Sequence, residues 1–315
     1  MTISALMSSP SGAALLGDQE PRVCSLPPFD SDRSGRRAVA LAGEARLQLD
    51  PWQRLVLESG LRRRGGKWAA FEVGLIVARQ LRNGKGTVLE ALELAALFLF
   101  PDVRLILHSA HEFKTSQEAF LRVRTLIEDN PDFDAQVSRI RTAAGAEAVE
   151  LKDGKRLRFV ARSSGSGRGF TSDLVILDEA YKLGDQEMAA LLPTLSARPD
   201  PQVWYTSTAG DQDSIQLGRV RARGVAGGDR SLAFLEWSAE DTDDPAAEVT
   251  WARANPGLGI RIAPEYIERE MAALGPEAFA RERLSIGDWP VGDAGQWSTI
   301  SADAWGACSA QGLSL

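Results

Sequence analysis

The residues with the clearest chemical meaning lie in Arg79-Gln80-Leu81-Arg82-Asn83-Gly84-Lys85-Gly86-Thr87. A glycine-rich turn that follows a strand and opens a helix points backbone N–H groups, and the positive end of the helix dipole, at one spot. That spot suits phosphate oxygens, and a lysine in the turn reaches the β and γ oxygens of a nucleotide. Against the pattern G-x-x-x-x-G-K-[ST], Arg79 stands where the first glycine belongs and Gly86 where the Ser or Thr belongs. Thr87, one residue on, is the candidate substitute for that magnesium-binding hydroxyl if the backbone shifts, and water is the alternative. The nucleotide-binding candidates here are Arg79, Arg82, Asn83, Gly84, Lys85, Gly86 and Thr87, and Gly84-Lys85 alone fits a solvated loop equally well.

A second segment is Leu174-Val175-Ile176-Leu177-Asp178-Glu179-Ala180. Four apolar residues running into two carboxylates describe a buried strand that delivers acids at its C-terminal edge, where α/β proteins bind ligands. Asp178 is the candidate ligand for Mg²⁺. Glu179 is the candidate base that orients and deprotonates an attacking water. The simpler alternative is a strand ending in a solvated acidic turn. Together the two segments have the order of a Walker A loop and a Walker B strand, and they make ATP with Mg²⁺ the expected ligands.

Three further segments carry weaker signals. Val203-Trp204-Tyr205-Thr206-Ser207-Thr208 ends in small hydroxyl residues, and Thr206, Ser207 and Thr208 are candidates for sensing the γ-phosphate and passing its state onward. Asp50-Pro51-Trp52-Gln53 precedes the first helix of the core, and the Gln53 amide has the donor and acceptor to pair with adenine N6 and N7. Trp52 beside it fits a base contact or the core. The stretch Lys152 to Arg168 holds six basic residues against one acid around a Ser/Gly-rich tip. Lys155, Arg156 and Arg158 are its DNA-binding candidates through phosphate contact, and a solvated hairpin face is the alternative for its lysines. His108 and His111 read as structural.

These side chains need a scaffold. Strand-like runs at 71–77, 104–110, 174–177 and 202–207 alternate with helical patterns at 87–100, 114–127 and 185–197. Asp153-Gly154 joins two further strands as a hairpin turn. Short buried strands alternating with helices predict an α/β fold, a mostly parallel sheet covered by helices on both faces. With the two motifs this becomes a P-loop NTPase of the RecA/ASCE-like type. Beyond residue 235 helices dominate, and 236–303 carries 14 acidic and 5 basic residues. The expected organisation is a disordered arm over 1–38, an ATPase core over 39–235, an acidic helical lid over 236–290 and a flexible tail over 291–315.

Composition bounds the rest. The 315 residues are 44% apolar with a net charge of −7, enough for a sizeable core and against a generally basic nucleic-acid coat. Two cysteines and two histidines exclude a disulfide framework and a His-rich metal site. No apolar run approaches the ~18 residues of a membrane span, and no signal peptide opens the chain. No membrane partner is expected.

In combination, Arg-Gln-x-x-Asn-Gly-Lys, His108 to Ser116, Gly167-Arg168-Gly169-Phe170, Leu177-Asp178-Glu179-Ala180 and Leu192-Pro193-Thr194-Leu195 resemble the ATPase part of tailed-phage terminase large subunits, from about Leu47 to Trp289. The resemblance implies an ATP-hydrolysing motor that drives double-stranded DNA into a procapsid. It implies a portal protein, a terminase small subunit and copies of the chain in a ring as partners. It places the protein in the host cytoplasm and transiently at the portal vertex. It gives Arg168 the role of a finger reaching a neighbour's ATP, and it puts either Arg79 or Arg82 at the family's phosphate-loop arginine. The family's C-terminal nuclease domain would begin where this chain ends, so no nuclease centre is expected in it. The alternatives from other classes are a nucleotide-dependent binding switch, which the missing hydroxyl at Gly86 favours, and a helicase-like ATPase, for which the sequence after Ser207 leaves no second motor domain.

Overall fold

A computed structural model describes residues 15–78, 83–162 and 171–290. Its centre is a nine-stranded sheet in the order β1-β11-β4-β10-β9-β5-β8-β7-β6. The strands are β1 (Val23–Ser25), β4 (Glu72–Ile76), β5 (Leu105–Ala110), β6 (Val137–Arg141), β7 (Ala148–Leu151), β8 (Arg156–Ala161), β9 (Leu174–Asp178), β10 (Gln202–Ser207) and β11 (Leu232–Glu236). A small separate hairpin joins β2 (Arg63–Arg64) to β3 (Lys67–Trp68).

The six strands from β11 to β8 pair in parallel. β1 at one edge and the β6–β7 hairpin at the other are antiparallel additions. The α/β expectation therefore holds. The four middle strands β4, β10, β9 and β5 are almost wholly buried, because helices cover both of their faces.

One face is covered by α1 (Arg33–Glu44), α2 (Pro51–Gly60), α3 (Lys85–Phe98), α4 (Phe113–Glu128) and the short α5 (Pro131–Asp134). α3 is apolar almost all round because it is packed between the sheet and α1, α2 and α4. The other face is covered by α6 (Asp185–Leu195) and α7 (Ile215–Ala226). A third apolar cluster joins α8 (Glu248–Ala254), α9 (Pro264–Ala273) and α10 (Pro276–Leu284) through Trp251, Ile267, Phe279 and Leu284. It forms a small helical unit at the end of the sheet next to the phosphate loop.

The expected disordered arm over 1–38 fails from Leu15 onward. Residues 23–25 form β1 and 33–44 form α1. Gly17 and Asp18 N–H groups donate to Leu258 and Ala252 carbonyls in the helical unit, both at 2.9 Å. A three-residue edge strand is specified by its partner β11 and not by its own sequence, whereas α1 is amphipathic, with Gly35, Ala38, Leu41 and Ala42 buried on one face at helical spacing. Residues 1–14 and the expected tail over 291–315 lie outside the described residues. α7, β6 and β11 were not expected from the sequence.

Candidate active site

The phosphate loop is described at its helix end. Val77 and Ala78 leave β4 buried, and Gly84 is the N-cap of α3 with φ +89°. That left-handed backbone favours glycine. A Cβ there would also stand 2.6 Å from the Gln53 Nε2. Arg79 and Arg82 lie outside the described residues.

The root of the loop is tied on all sides. Asn83, fully buried, donates from Nδ2 to the Ala78 carbonyl and to Asn255 Oδ1, each at 3.2 Å. Its Oδ1 accepts the Gly257 N–H at 3.1 Å. Arg261 donates to the Asn83 carbonyl at 2.8 Å and pairs with Asp50. Asn83 therefore shapes the loop instead of facing a ligand, and three of its ties, to Asn255, Gly257 and Arg261, reach into the small helical unit.

Gln53 and Trp52 are corrected by this geometry. The Gln53 Nε2 donates to the Gly84 carbonyl at 2.8 Å, and its Oε1 accepts the Asp50 N–H at 2.8 Å in a capping box that starts α2. Both ends of the amide are used within the protein, so it holds the loop and is not placed to read adenine. Trp52 is fully buried, edge to face with Trp237 at 5.2 Å, and belongs to the core.

Lys85 and Asp178 face each other across the loop, with Nζ 3.0 Å from Oδ1. The same oxygen accepts Thr206 Oγ1 and the Glu179 N–H, both at 2.9 Å. Burial would raise the Asp178 pKa. The Lys85 and His108 charges, with the hydrogen bonds from Lys85 and Thr206, outweigh it and lower the pKa to about 2. Asp178 is thus held as a carboxylate.

Glu179 adopts φ 52°, ψ 47°, a left-handed backbone that a non-glycine residue takes only when its surroundings impose it. Two features impose it. The Arg162 guanidinium is wedged against the strand ends, donating to the carbonyls of Ser109 at 3.0 Å, Asp178 at 2.6 Å and Glu179 at 3.4 Å. Burial lowers its pKa, while Asp178 and Glu179 oppose that shift. On the other side, Ser207 Oγ accepts the Tyr181 N–H at 3.0 Å in the single 3-10 turn that follows. The turn aims the Glu179 carboxylate at α4, where Thr115 Oγ1 donates to it at 3.5 Å.

These groups open onto a cleft of about 670 Å³, lined by Gly84 to Thr87 on one side, Asp178, Glu179 and Thr208 on another, and Lys114 and Arg122 across it. The volume is in the range of ligand sites. The residues present fit a nucleoside triphosphate with a hard divalent cation. The N-terminus of the fourteen-residue α3 and Lys85 supply positive charge. Asp178 and Thr87 supply oxygen donors of the kind Mg²⁺ takes. A Cβ at Gly86 would meet Arg122 at 3.5 Å and Glu90 at 3.6 Å, so the hydroxyl missing there is not excluded by crowding.

The sequence-derived set thus divides. Lys85, Gly86, Thr87, Asp178, Glu179 and Thr208 share the cleft. Thr206 and Ser207 lie beneath it as supports of Asp178 and the turn. Arg168 lies outside the described residues. Of the basic hairpin, Arg156 is exposed and Arg158 half-buried on β8, but Lys155 is corrected. Its side chain is buried and its Nζ donates to the Leu97 carbonyl at 2.9 Å, closing the C-terminal end of α3. Arg162, Asn255, Arg261 and Thr115 were missed as site residues. Each acts on a group far away in sequence, and no local signal marks them.

No family model and no curated protein matches the sequence. Solved structures do match in three dimensions. The large terminase of bacteriophage HK97 superposes with a TM-score of 0.69 at 20% identity, over 80% of this chain and 55% of that one. The chain thus spans little more than half of the HK97 protein. The large terminase ATPase domain of Thermus phage P74-26 gives 0.51 at 15% identity, over 78% of this chain and 96% of that one. An arginine-to-alanine variant of the same domain gives 0.51 at 16%. The chain has the P-loop α/β fold of phage large terminases.

Proposed function

We propose that this chain is the ATPase part of a phage terminase large subunit, hydrolysing ATP to move double-stranded DNA into a procapsid. The observation that supports it most is the Lys85–Asp178 contact with Glu179 forced into a left-handed turn beside it. A lysine at a loop–helix junction, a carboxylate held ionised beside it and a second carboxylate on the same cleft supply the phosphate, metal and water contacts that phosphoryl transfer to water uses.

In this reading the α3 N-terminus and Lys85 bind the β- and γ-phosphates. Asp178 and Thr87 would hold Mg²⁺, which when bound offsets charge on the phosphate oxygens. Glu179 orients a water and takes its proton as the water oxygen bonds to the γ-phosphorus. The bond from that phosphorus to the β–γ bridging oxygen breaks, releasing ADP and phosphate. Arg162 and Thr115 hold Glu179 in place for this step. Thr206 and Ser207, beneath the same carboxylates, and the Asn83–Asn255 contact are the routes by which the site's state reaches the rest of the molecule. Arg168 is the proposed finger toward a neighbouring copy's ATP. The portal, the small subunit and a ring of copies are the proposed partners, at the portal vertex in the host cytoplasm. Among the described residues no helix is long and apolar enough to cross a membrane.

A specific observation favours a slower nucleotide switch as second reading, because Gly86 lines the cleft without a hydroxyl. Turnover with and without duplex DNA separates the two. Lys85→Ala and Glu179→Gln are each expected to lower turnover by about 10²–10³-fold or more. Glu179→Gln should keep nucleotide affinity and Lys85→Ala should lose it. Normal turnover in both variants refutes the site. Slow wild-type turnover that DNA does not stimulate favours the switch.

A further inference from the structure

Gly86 leaves a gap in the chemistry of the phosphate loop. The residue after the loop lysine ordinarily carries a hydroxyl for the metal that bridges the β- and γ-phosphates. At Gly86 the first turn of α3 presents bare backbone to the cleft instead. A side chain from another helix stands at that spot. Arg122, in α4, places Nη2 3.5 Å from where a Gly86 Cβ would be.

Helix α4 is built to bring it there. Lys114, Glu118 and Arg122 follow one another at a spacing of four, so they share a face, and all three line the cleft. Thr115 of the same helix reaches Glu179. One helix thus borders the cleft at Glu179 and, about two turns on, at Gly86.

The guanidinium is aimed but not used up. Its Nε donates to Glu90 Oε1 at 2.6 Å, and Glu90 is buried on α3, one turn after Gly86. Among the described residues this is the one hydrogen bond of Arg122, so neither Nη group has a protein acceptor. The Arg122 side chain is 46% exposed. It stands between the cleft and a groove of about 360 Å³ lined by Leu121, Thr125 and Leu126. An ion pair open to solvent on this scale adds little stability, and a ligand in the cleft can reach the open edge of the fork.

We propose that Arg122 is a phosphate-binding residue, whose Nη edge takes β- and γ-phosphate oxygens of the nucleotide where the loop lacks its hydroxyl. The inference rests on the reading of the cleft as an ATP site and deepens it. A planar guanidinium suits two phosphate oxygens at once, and the Nε bond to Glu90 fixes which edge faces them. The charge comes from the same chain as the loop, so it acts in a single protomer.

The test is calorimetric titration of the full chain with ATPγS and with ADP, both with Mg²⁺. Arg122→Gln should weaken ATPγS about 10–100-fold, the range of a hydrogen bond between charged groups. ADP should lose several-fold less, because it lacks the γ oxygens. Arg122→Lys, a point charge without the fork, should fall between wild type and Arg122→Gln. The urea midpoint of Arg122→Gln should stay near that of the wild type. Unchanged affinities, or equal losses for the two nucleotides, overturn the proposal. A lowered urea midpoint with the wild-type ratio of affinities makes Arg122 a brace between α3 and α4 and overturns it too. Failure of the ATP-site reading shows separately, as wild-type affinity for both nucleotides in Lys85→Ala. If Lys85→Ala loses affinity and Arg122→Gln does not, the loop reading stands and the role of Arg122 falls alone.

Discussion

Helix α3 makes two ion pairs with the strands beneath it, and they have opposite characters. At its first residue Lys85 meets Asp178 at 3.0 Å, with 17% and 14% of the side chains exposed at the edge of the cleft. Two turns further on Glu93 meets His108 Nδ1 at 2.5 Å, and each is 1% exposed. The first pair lies where a ligand can displace it and is supported by two neutral donors, Thr206 Oγ1 of β10 and the Glu179 N–H. The second is sealed against Phe159, with no other hydrogen bond to the Glu93 Oε2 or the His108 Nε2 among the described residues. The same helix thus has one end built for exchange and a middle built for permanence. Solvent access, more than residue type, separates a site from a brace.

The largest effect should come from the sealed pair. His108→Ala leaves the Glu93 carboxylate buried alone and should cost about 3–5 kcal/mol of stability. Lys85→Ala, at the cleft edge, should destabilise far less while losing turnover. Urea unfolding of both variants checks this, and equal destabilisation would break the contrast.

The next effect is in pH. For Asp178 the folded pKa of about 2 lies below the ordinary 3.8. Its contribution is present above pH 3.8 and is lost as pH falls toward 2, about 2 kcal/mol in all. The Glu93–His108 pair runs the other way. Burial, only partly offset by His108, raises Glu93. Burial would lower His108, but Glu93 overcomes it, and its pKa also lies above the ordinary value. The folded protein keeps protons that the unfolded chain releases. That stabilisation is full below pH 4.5 for Glu93 and below pH 6.5 for His108, and each is lost as pH rises through the group's folded value. Stability curves of wild type against Asp178→Asn and His108→Phe should therefore diverge at opposite ends of the pH scale. Divergence at the same end would show that the pairs are not distinct.

The smallest effect sharpens the open pair. Gly86→Ser places a hydroxyl beside Lys85 where a Cβ has room. It should raise Mg²⁺-dependent turnover by about two- to tenfold, the scale of one net hydrogen bond. A fall in turnover would mean that Thr87 already fills that role and is displaced.

The start and the middle of α3 also differ in how far the sequence reveals them. The positions of Gly84, Lys85, Asp178 and Glu179 were legible because a glycine-rich turn marks the start of a helix and an apolar run ending in carboxylates marks the end of a buried strand. The parallel sheet was legible from its buried strands, with Gln202–Ser207 matching the expected bounds. The supports were not legible. Glu93 looked like a polar interruption of an apolar helix until β5 placed His108 beneath it. Gln53 had the right donor and acceptor for a base, yet the fold gives the donor to the Gly84 carbonyl and leaves the acceptor to the local Asp50 N–H. Lys155 belonged to a basic run but closes a helix end. In each case the partner is more than ten residues away in sequence, and only the fold names it. The short β1 was hidden for a related reason, since its order comes from β11, whereas α1 carries its own amphipathic pattern within the Gly- and Pro-rich arm.

The strap formed by residues 17–25 sets a timetable for the chain's birth. Gln19 is bonded to Pro256, 237 residues later, and β1 pairs only with β11. At ribosomal speeds of about 5–20 residues per second, these early residues wait roughly 10–50 s for their partners to be made. The nucleotide loop waits as well, because Asn83 needs Asn255 and Gly257. A nascent chain therefore carries Asn83 and Gly84 long before their loop can be tied down, and that loop is completed only once the residues around Asn255 have been made.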